Sequence, residues 1–283
     1  MTRVLVIGAT GMLGNAAFRF FAASATMEVF GTTRGDGSVL GPEFADRLVT
    51  GFDATDPEAV ANVLERTGAD VVMNCVGVVK QLADANDPLV AIPVNSVLPH
   101  QLARSCAQAG ARLVHMSTDC VFSGEKGNYV ESDIPDANDL YGRSKLLGEV
   151  DYPNAITLRT SIIGHELRSM SSLIGWFLSQ EGEVAGFTNA IFSGLPTVEI
   201  ARVVRDLIIP RADLSGVWHV SAEPIDKFSL LELVRDAYGK NIQIRAVDEP
   251  HIDRSLDSSR FRMATGFIPD PWPKLVETMR DFG

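Results

Sequence analysis

The chain has 283 residues, a formal net charge of −11 at pH 7 and 46% hydrophobic residues. That length suits one large α/β unit or a nucleotide domain carrying a smaller lobe, and either can bury a sizeable core. Acidity without a basic run excludes a nucleic-acid surface, which needs clustered Lys and Arg, and no apolar run reaches the roughly 20 residues of a membrane span.

The first strand, Arg3 to Ile7, starts almost at Met1 with no basic region or cleavage site, so no targeting segment is expected. Gly8-Ala9-Thr10-Gly11-Met12-Leu13-Gly14 follows, then an apolar helical run through Phe18 and Phe21. Strand, glycine turn and helix in that order are the setting of a dinucleotide site. Glycines permit the tight turn and let backbone amides approach a pyrophosphate at the helix N-terminus. The expected cradle is therefore Gly8, Thr10, Gly11, Met12, Leu13 and Gly14, in a Gly-x-x-Gly-x-x-Gly spacing.

The second strand, Glu28 to Thr32, ends without the acidic residue that usually holds the ribose hydroxyls of NAD. Thr33 and Arg34 stand there instead, and a guanidinium with nearby hydroxyls suits a 2′-phosphate. NADP(H) is the expected cofactor, with NAD(H) the alternative. A third strand, Arg47 to Thr50, leads to Asp53, expected near the adenine, and to a helix from Pro57 to Thr67. The fourth strand, Val71 to Cys75, brings Asn74, Cys75, Val76 and Gly77 beside the cofactor path. Asn95 opens a helix running to Gln108, where it serves either as a cap or as a relay partner of a lysine further on.

The fifth strand, Arg112 to Ser117, ends in Ser117-Thr118-Asp119-Cys120, and active sites of open α/β sheets lie at such strand ends. The run Leu140 to Val150 reads as a helix with Tyr141 and Lys145 four residues apart on one face. A lysine ammonium close to a phenol favours the phenolate, so Lys145 is expected to pull the Tyr141 pKa toward working pH. A sixth strand spans Ala155 to Leu158. Alternating strands and helices predict a Rossmann-type doubly wound parallel sheet over residues 1–160, with right-handed crossovers.

Beyond Thr160 the pattern loosens into helices near Ser171 to Ser179 and Thr197 to Ile209, and a strand at Val217 to Val220 that rejoins the main sheet. Ser229-Leu230-Leu231-Glu232 reads as a capping box opening another helix, and Trp272 among three prolines precedes a last short one. Residues 161–283 are expected to form mainly a smaller C-terminal substrate-binding lobe. The scattered histidines read as core or edge residues rather than metal ligands, and Asp133, Asp136 and Asp139 read as a solvated acidic loop, with a divalent site as the alternative. Cys75, Cys106 and Cys120 lack metal spacing and read as reduced thiols, which points to the cytoplasm.

Ser117 to Gly124, Tyr129, Glu131, the run Leu140 to Glu149, Leu158-Arg159-Thr160 and Gly194-Leu195-Pro196-Thr197 together resemble the extended short-chain dehydrogenase/reductase superfamily, in its dTDP-4-dehydrorhamnose reductase branch. The resemblance covers essentially the whole chain. It implies an oxidoreductase with Thr118, Tyr141 and Lys145 as catalytic residues, the last two also holding the cofactor, and reduction of a 4-keto group on a nucleotide-linked 6-deoxysugar. Ser117, Asp119, Cys120 and Arg254 are then expected on the substrate side. Cys120 stands where such reductases usually carry tyrosine, which leaves the sugar and the base open, and a homodimer is compatible with the reading. An epimerase or dehydratase with retained cofactor is one alternative. A non-catalytic NADP-binding subunit is the other, since the regulatory β subunit of methionine adenosyltransferase resembles the same branch.

Overall fold

The computed structural model describes residues 1–80 and 85–283. Six parallel strands, β1 (Thr2–Ile7), β2 (Met27–Thr32), β3 (Leu48–Val49), β4 (Val71–Asn74), β5 (Arg112–Met116) and β6 (Ala155–Arg159), form one sheet with the later strand Gly216–His219. Its spatial order is β3-β2-β1-β4-β5-β6 and then Gly216–His219, so the expected doubly wound sheet is present. The chain reverses direction across the sheet between β1 and β4, the switch point at which open α/β sheets bind ligands.

Burial on both faces explains the apolar strands. Along β1, Val4 and Val6 enter one core with Phe18 and Phe21, while Leu5 and Ile7 enter the other with Leu64, Leu102 and Leu113. The first core is continuous with residues beyond 160, among them Ile200, Leu231 and Val276, so no break in packing separates the two halves of the chain.

Local chemistry sets the helices that face the cleft. Helix α1 (Met12–Ala22) starts at Gly11 with no side-chain cap and no acidic residue in its first turn. Helix α2 (Pro57–Thr67) is capped by Asp56, opens on a proline and ends at Gly68 in the left-handed region, all signals present in the sequence. The next helix starts earlier than expected: α3 (Pro88–Ile92) passes through a π-helical stretch, Pro93–Val97, into α4 (Leu98–Ala109). Asn95 is therefore mid-helix and caps nothing. Helix α5 (Leu140–Leu147) is capped by Asp139, which accepts the Gly142 N–H at 2.8 Å.

After β6 come α6 (Leu173–Ser179) and α7 (Thr197–Val203), the latter continuing into a π-helical turn, Val204–Ile208. Helix α8 (Lys227–Ala237) corrects the expected capping box: Asp226 is the cap, and Ser229 sits one turn inside, donating its hydroxyl to the Asp226 carboxylate. Short strands at Ala190–Phe192, Ile225–Asp226 and Ile252–Asp253 pair together, and Glu183–Phe187 pairs with Gln243–Val247. Helices α9 (Ser259–Thr265) and α10 (Trp272–Phe282) complete the chain, α10 packing on α7 and α8.

The packing of α1 on β1 generates a sharp expectation. A Cβ on Gly14 would lie 2.0 Å from the Gly8 carbonyl oxygen, and backbone atoms on both sides give way only with difficulty. Gly14→Ala should destabilise the fold by about 1–3 kcal/mol, read as a lower urea midpoint at unchanged slope. An unaltered midpoint would show that α1 can stand off the sheet.

Candidate active site

At the β1 edge, Gly8 adopts φ +84°, and its N–H donates to the Thr32 hydroxyl at 3.2 Å. Gly11 is exposed, and a Cβ there would meet nothing nearer than 3.4 Å, so the first N–H groups of α1 open onto the cleft. Leu13 turns its side chain into the core and leaves only its backbone to this turn, while Thr10 and Met12 are half-buried around it. An uncapped helix start without nearby acid fits a pyrophosphate.

Beside it, an open pocket of about 420 Å³ is lined by Arg34, Gly51, Phe52, Asp53, Thr55 and Val94. The Asp53 carboxylate accepts the Thr55 hydroxyl and N–H at 2.7 and 2.9 Å; these bonds, with help from Arg34, hold its pKa below the ordinary value. Arg34 and Asp53, expected at opposite ends of a nucleoside, thus share one pocket. Thr33 is buried, and its hydroxyl donates to the Gly35 carbonyl, so it shapes the loop that carries Arg34.

Several expected contacts turn inward instead. The fully buried Asn74 accepts the Val76 N–H and pairs with His115 at 3.2 Å, so its side chain forms the turn after β4 rather than meeting a cofactor. Asn95 grips Val78 through both its N–H and its carbonyl and donates to the Ser144 hydroxyl at 3.1 Å. All of its polar atoms are engaged, which makes it a tie between the β4 loop and α5 and not a cofactor contact. Cys75 and Val76 are half-buried and Gly77 is exposed beside that loop. Burial raises the Cys75 thiol to about 12, so it stays protonated.

The catalytic candidates lie around the end of β5. Thr118 caps the short turn Asp119–Val121 by accepting the Cys120 N–H at 3.1 Å, and its hydroxyl donates to the Asp119 carboxylate. Helix α5 rests directly on that turn: a Cβ on Gly142 would stand 2.3 Å from the Cys120 carbonyl oxygen. This approach brings Tyr141, Thr118 and Cys120 together. Burial raises the Tyr141 phenol above its ordinary pKa, Cys120 adds to the rise, and the Thr118 hydroxyl pulls the other way.

Lys145 departs from its expected part. It is buried, donates to the Met116 carbonyl at 2.6 Å, and is not among the groups acting most on Tyr141. Desolvation lowers its pKa to about 8, against the attraction of Glu149. Burial thus acts on the phenol in the direction opposite to the tuning expected of Lys145.

Asp119 is buried; loss of water raises its carboxyl, opposed first by Arg254. Arg254 donates from Nε to the Phe122 carbonyl at 2.9 Å, in a segment strapped across the turn by Tyr129 N–H to Ser255 O and Asp257 N–H to Tyr129 O. Cys120 is half-buried beside them, its thiol raised to about 12 chiefly by burial.

Ser117 is the clearest correction. Its hydroxyl is taken up inside the protein, donating to Glu149 at 2.7 Å. Glu149 also receives Arg159 through two bonds of 2.8 and 2.7 Å, with the two side chains only 7% and 6% exposed. Arg159 reaches His219, which bonds the Tyr129 carbonyl, and its guanidinium stacks over Phe122. This network was not anticipated. Its signals were a charged residue closing the apolar strand Ala155 to Leu158 and an acid one turn beyond Lys145.

A family model described as RmlD substrate binding domain matches residues 1–280. The chain belongs to that family. It is 32% identical over 236 residues to the probable low-salt glycan biosynthesis reductase Agl14 of Haloferax volcanii, covering 77% of this chain and 74% of that protein. It is also 33% identical to methionine adenosyltransferase 2 subunit beta of Mus musculus, covering 97% of this chain and 89% of that one. Among solved structures, the Bacillus anthracis dTDP-4-dehydrorhamnose reductase in complex with NADP is similar, with TM-score 0.79 at 19% identity over 99% of each chain. At that identity the likeness concerns the fold. The expected reductase-like branch of the superfamily is borne out. Among the described residues no group of three or more His, Cys, Asp or Glu is placed to hold a metal ion, and no helix is long and apolar enough to cross a membrane.

Removing the charge of Glu149 leaves Arg159 buried and uncompensated. Glu149→Gln should cost about 3–5 kcal/mol, measured by chemical denaturation; a change below about 1 kcal/mol would show that the pair behaves as a solvated one.

Proposed function

We propose that this chain is a nicotinamide-dependent reductase acting on the 4-keto group of a nucleotide-linked 6-deoxysugar, with NADPH as reductant and NADH as the alternative. One observation carries the reading. A phenol, a threonine hydroxyl and a buried lysine share the carboxyl edge of β5 and α5, beside a switch point whose glycine turn opens α1 without a side-chain cap or nearby acid.

The cofactor's pyrophosphate suits the N–H groups after Gly11, and its adenosine end suits the pocket of Arg34 and Asp53. When bound, the nicotinamide supplies the hydride. Tyr141 hydrogen-bonds the carbonyl oxygen and gives up its proton as negative charge grows there, with Thr118 as the second donor. Donors already in place stabilise that charge more than they stabilise the neutral ketone. Lys145, lowered to about 8 by desolvation, still carries its charge near neutrality, and that charge offsets the cost of burial by stabilising the phenolate that forms as the Tyr141 proton leaves. The segment around Arg254 and the residues beyond 160 make up the substrate side.

The similarity to methionine adenosyltransferase 2 subunit beta along nearly the whole chain favours a second reading, an NADP-binding subunit without turnover. Loss of NADPH absorbance on adding dTDP-, UDP- and GDP-linked 4-keto-6-deoxysugars separates the two. Consumption with one of them establishes the reductase, and silence despite NADPH binding leaves the binding subunit. Tyr141→Phe should then retain NADPH and lose roughly 10²–10⁴ in rate; near-normal turnover would remove Tyr141 from the chemistry. Arg34→Ala should weaken NADPH by about 1.5–3 kcal/mol and leave NADH nearly unchanged, whereas equal loss for both would place the 2′-phosphate elsewhere.

A further inference from the structure

Thr118 carries one hydroxyl proton, and the turn that holds it already makes two demands on that group. Its Oγ1 accepts the Cys120 N–H at 3.1 Å and donates to the Asp119 carboxylate at 3.1 Å. A hydroxyl has a single proton and two acceptor lone pairs. While Asp119 is ionised, the proton is committed to the carboxylate, and Thr118 can offer a ketone oxygen only a lone pair. Two acceptors facing each other repel. An ionised Asp119 therefore works against the second donor that growing negative charge on the ketone oxygen requires.

The surroundings of Asp119 favour its other form. The side chain is only 6% exposed, and its partners are the Thr118 hydroxyl and the Cys120 thiol, a weak donor. Among the described residues it has no ion-pair partner within 4.0 Å and accepts no backbone N–H. A carboxylate removed from water on those terms costs more than the neutral acid. Arg254 and Lys227 attract the ionised form from farther off, one from the C-terminal segment and the other from the start of α8. Cys120 and Tyr141 face it from its own turn and from α5, and the charge of an ionised Asp119 makes both of them poorer acids.

We propose that Asp119 is a positioning residue that works as a neutral carboxylic acid, donating to Thr118 Oγ1 and so turning the Thr118 proton toward the ketone oxygen. The proposal rests on the reductase reading above. Thr118 is then fully used, since it accepts from the Cys120 N–H and the Asp119 O–H and donates to the substrate. Asp119 keeps its own proton throughout, because the hydride and the Tyr141 proton complete the alcohol. It acts through Thr118, in place of the substrate contact expected of it from the sequence.

The test compares the wild type with Asp119→Asn, whose amide N–H can donate to Thr118 as the neutral acid does but cannot ionise. Infrared difference spectra of the two NADP-bound chains near neutral pH should show the C=O stretch of a protonated carboxyl in the wild type alone, and this band should disappear from the wild type as pH is raised. With the 4-keto sugar nucleotide that is consumed, Asp119→Asn should keep kcat within about tenfold, the worth of one hydrogen bond. Wild-type kcat should fall as rising pH ionises Asp119, and that limb should be missing from Asp119→Asn. Absence of the protonated carboxyl near neutral pH overturns the proposal whether or not a substrate is found, and turnover beside that result leaves the reductase reading standing. An Asp119→Asn profile that keeps the wild-type limb overturns it too. If the band is present but none of the sugar nucleotides is consumed, the reductase reading falls and takes the proposal with it.

Discussion

Glu149 and Arg159 are shut away from water, where each charge tolerates its surroundings only because the other is present. Their pairing joins four parts of the chain that have no covalent reason to meet. Glu149 follows α5, Arg159 ends β6, Ser117 follows β5, and His219 ends the strand on the far side of β6. The carboxyl edge of the sheet is thereby locked to the helix that carries Tyr141 and Lys145. Glu149 also acts on the Lys145 ammonium and partly offsets its loss of water. Rigidity at the strand ends and the protonation of the lysine thus have one source.

Around that lock, the site is seated as much by missing side chains as by present ones. Gly142 lets α5 touch the Cys120 carbonyl, and Gly148 lets the end of the same helix reach Asn95, where a Cβ would come within 1.9 Å of the carbonyl oxygen. Between these two contacts Ser144 receives the Asn95 amide and Ser96 donates to the Ser144 carbonyl. Helix α5 is held at both ends, so the phenol and the amine have little freedom relative to the Thr118 turn. Preorganisation of this kind favours stabilisation of charge that develops only during reaction.

How much of this was legible depended on whether the decisive partner was local. The glycine turn, the helix from Pro57 to Thr67, and the apolar strands follow from neighbours in sequence, and they appear as read. Tyr141 and Lys145 do share a helix, but which way the lysine points is decided by the Met116 carbonyl, which spacing cannot reveal. Ser117 and Asn74 looked like cleft residues because they end strands. Each side chain is instead captured by a partner from a distant segment, Glu149 for one and His115 for the other. At α8 the error was local: Asp226 and Ser229 are both good caps, and the acid three residues earlier prevailed.

The π-helical stretch Pro93–Val97 has a consequence for how the long helix is used. An α-helix advances about 100° per residue, and a wider turn shifts everything after it relative to everything before. The Pro88 end can therefore face α5 while the Leu98 end faces β5 and α2. One rod serves two surfaces whose phases would otherwise clash. Removing a single residue from that stretch would restore regular winding and rotate Asn95 away from the β4 loop, severing a tie while every side chain remained chemically intact.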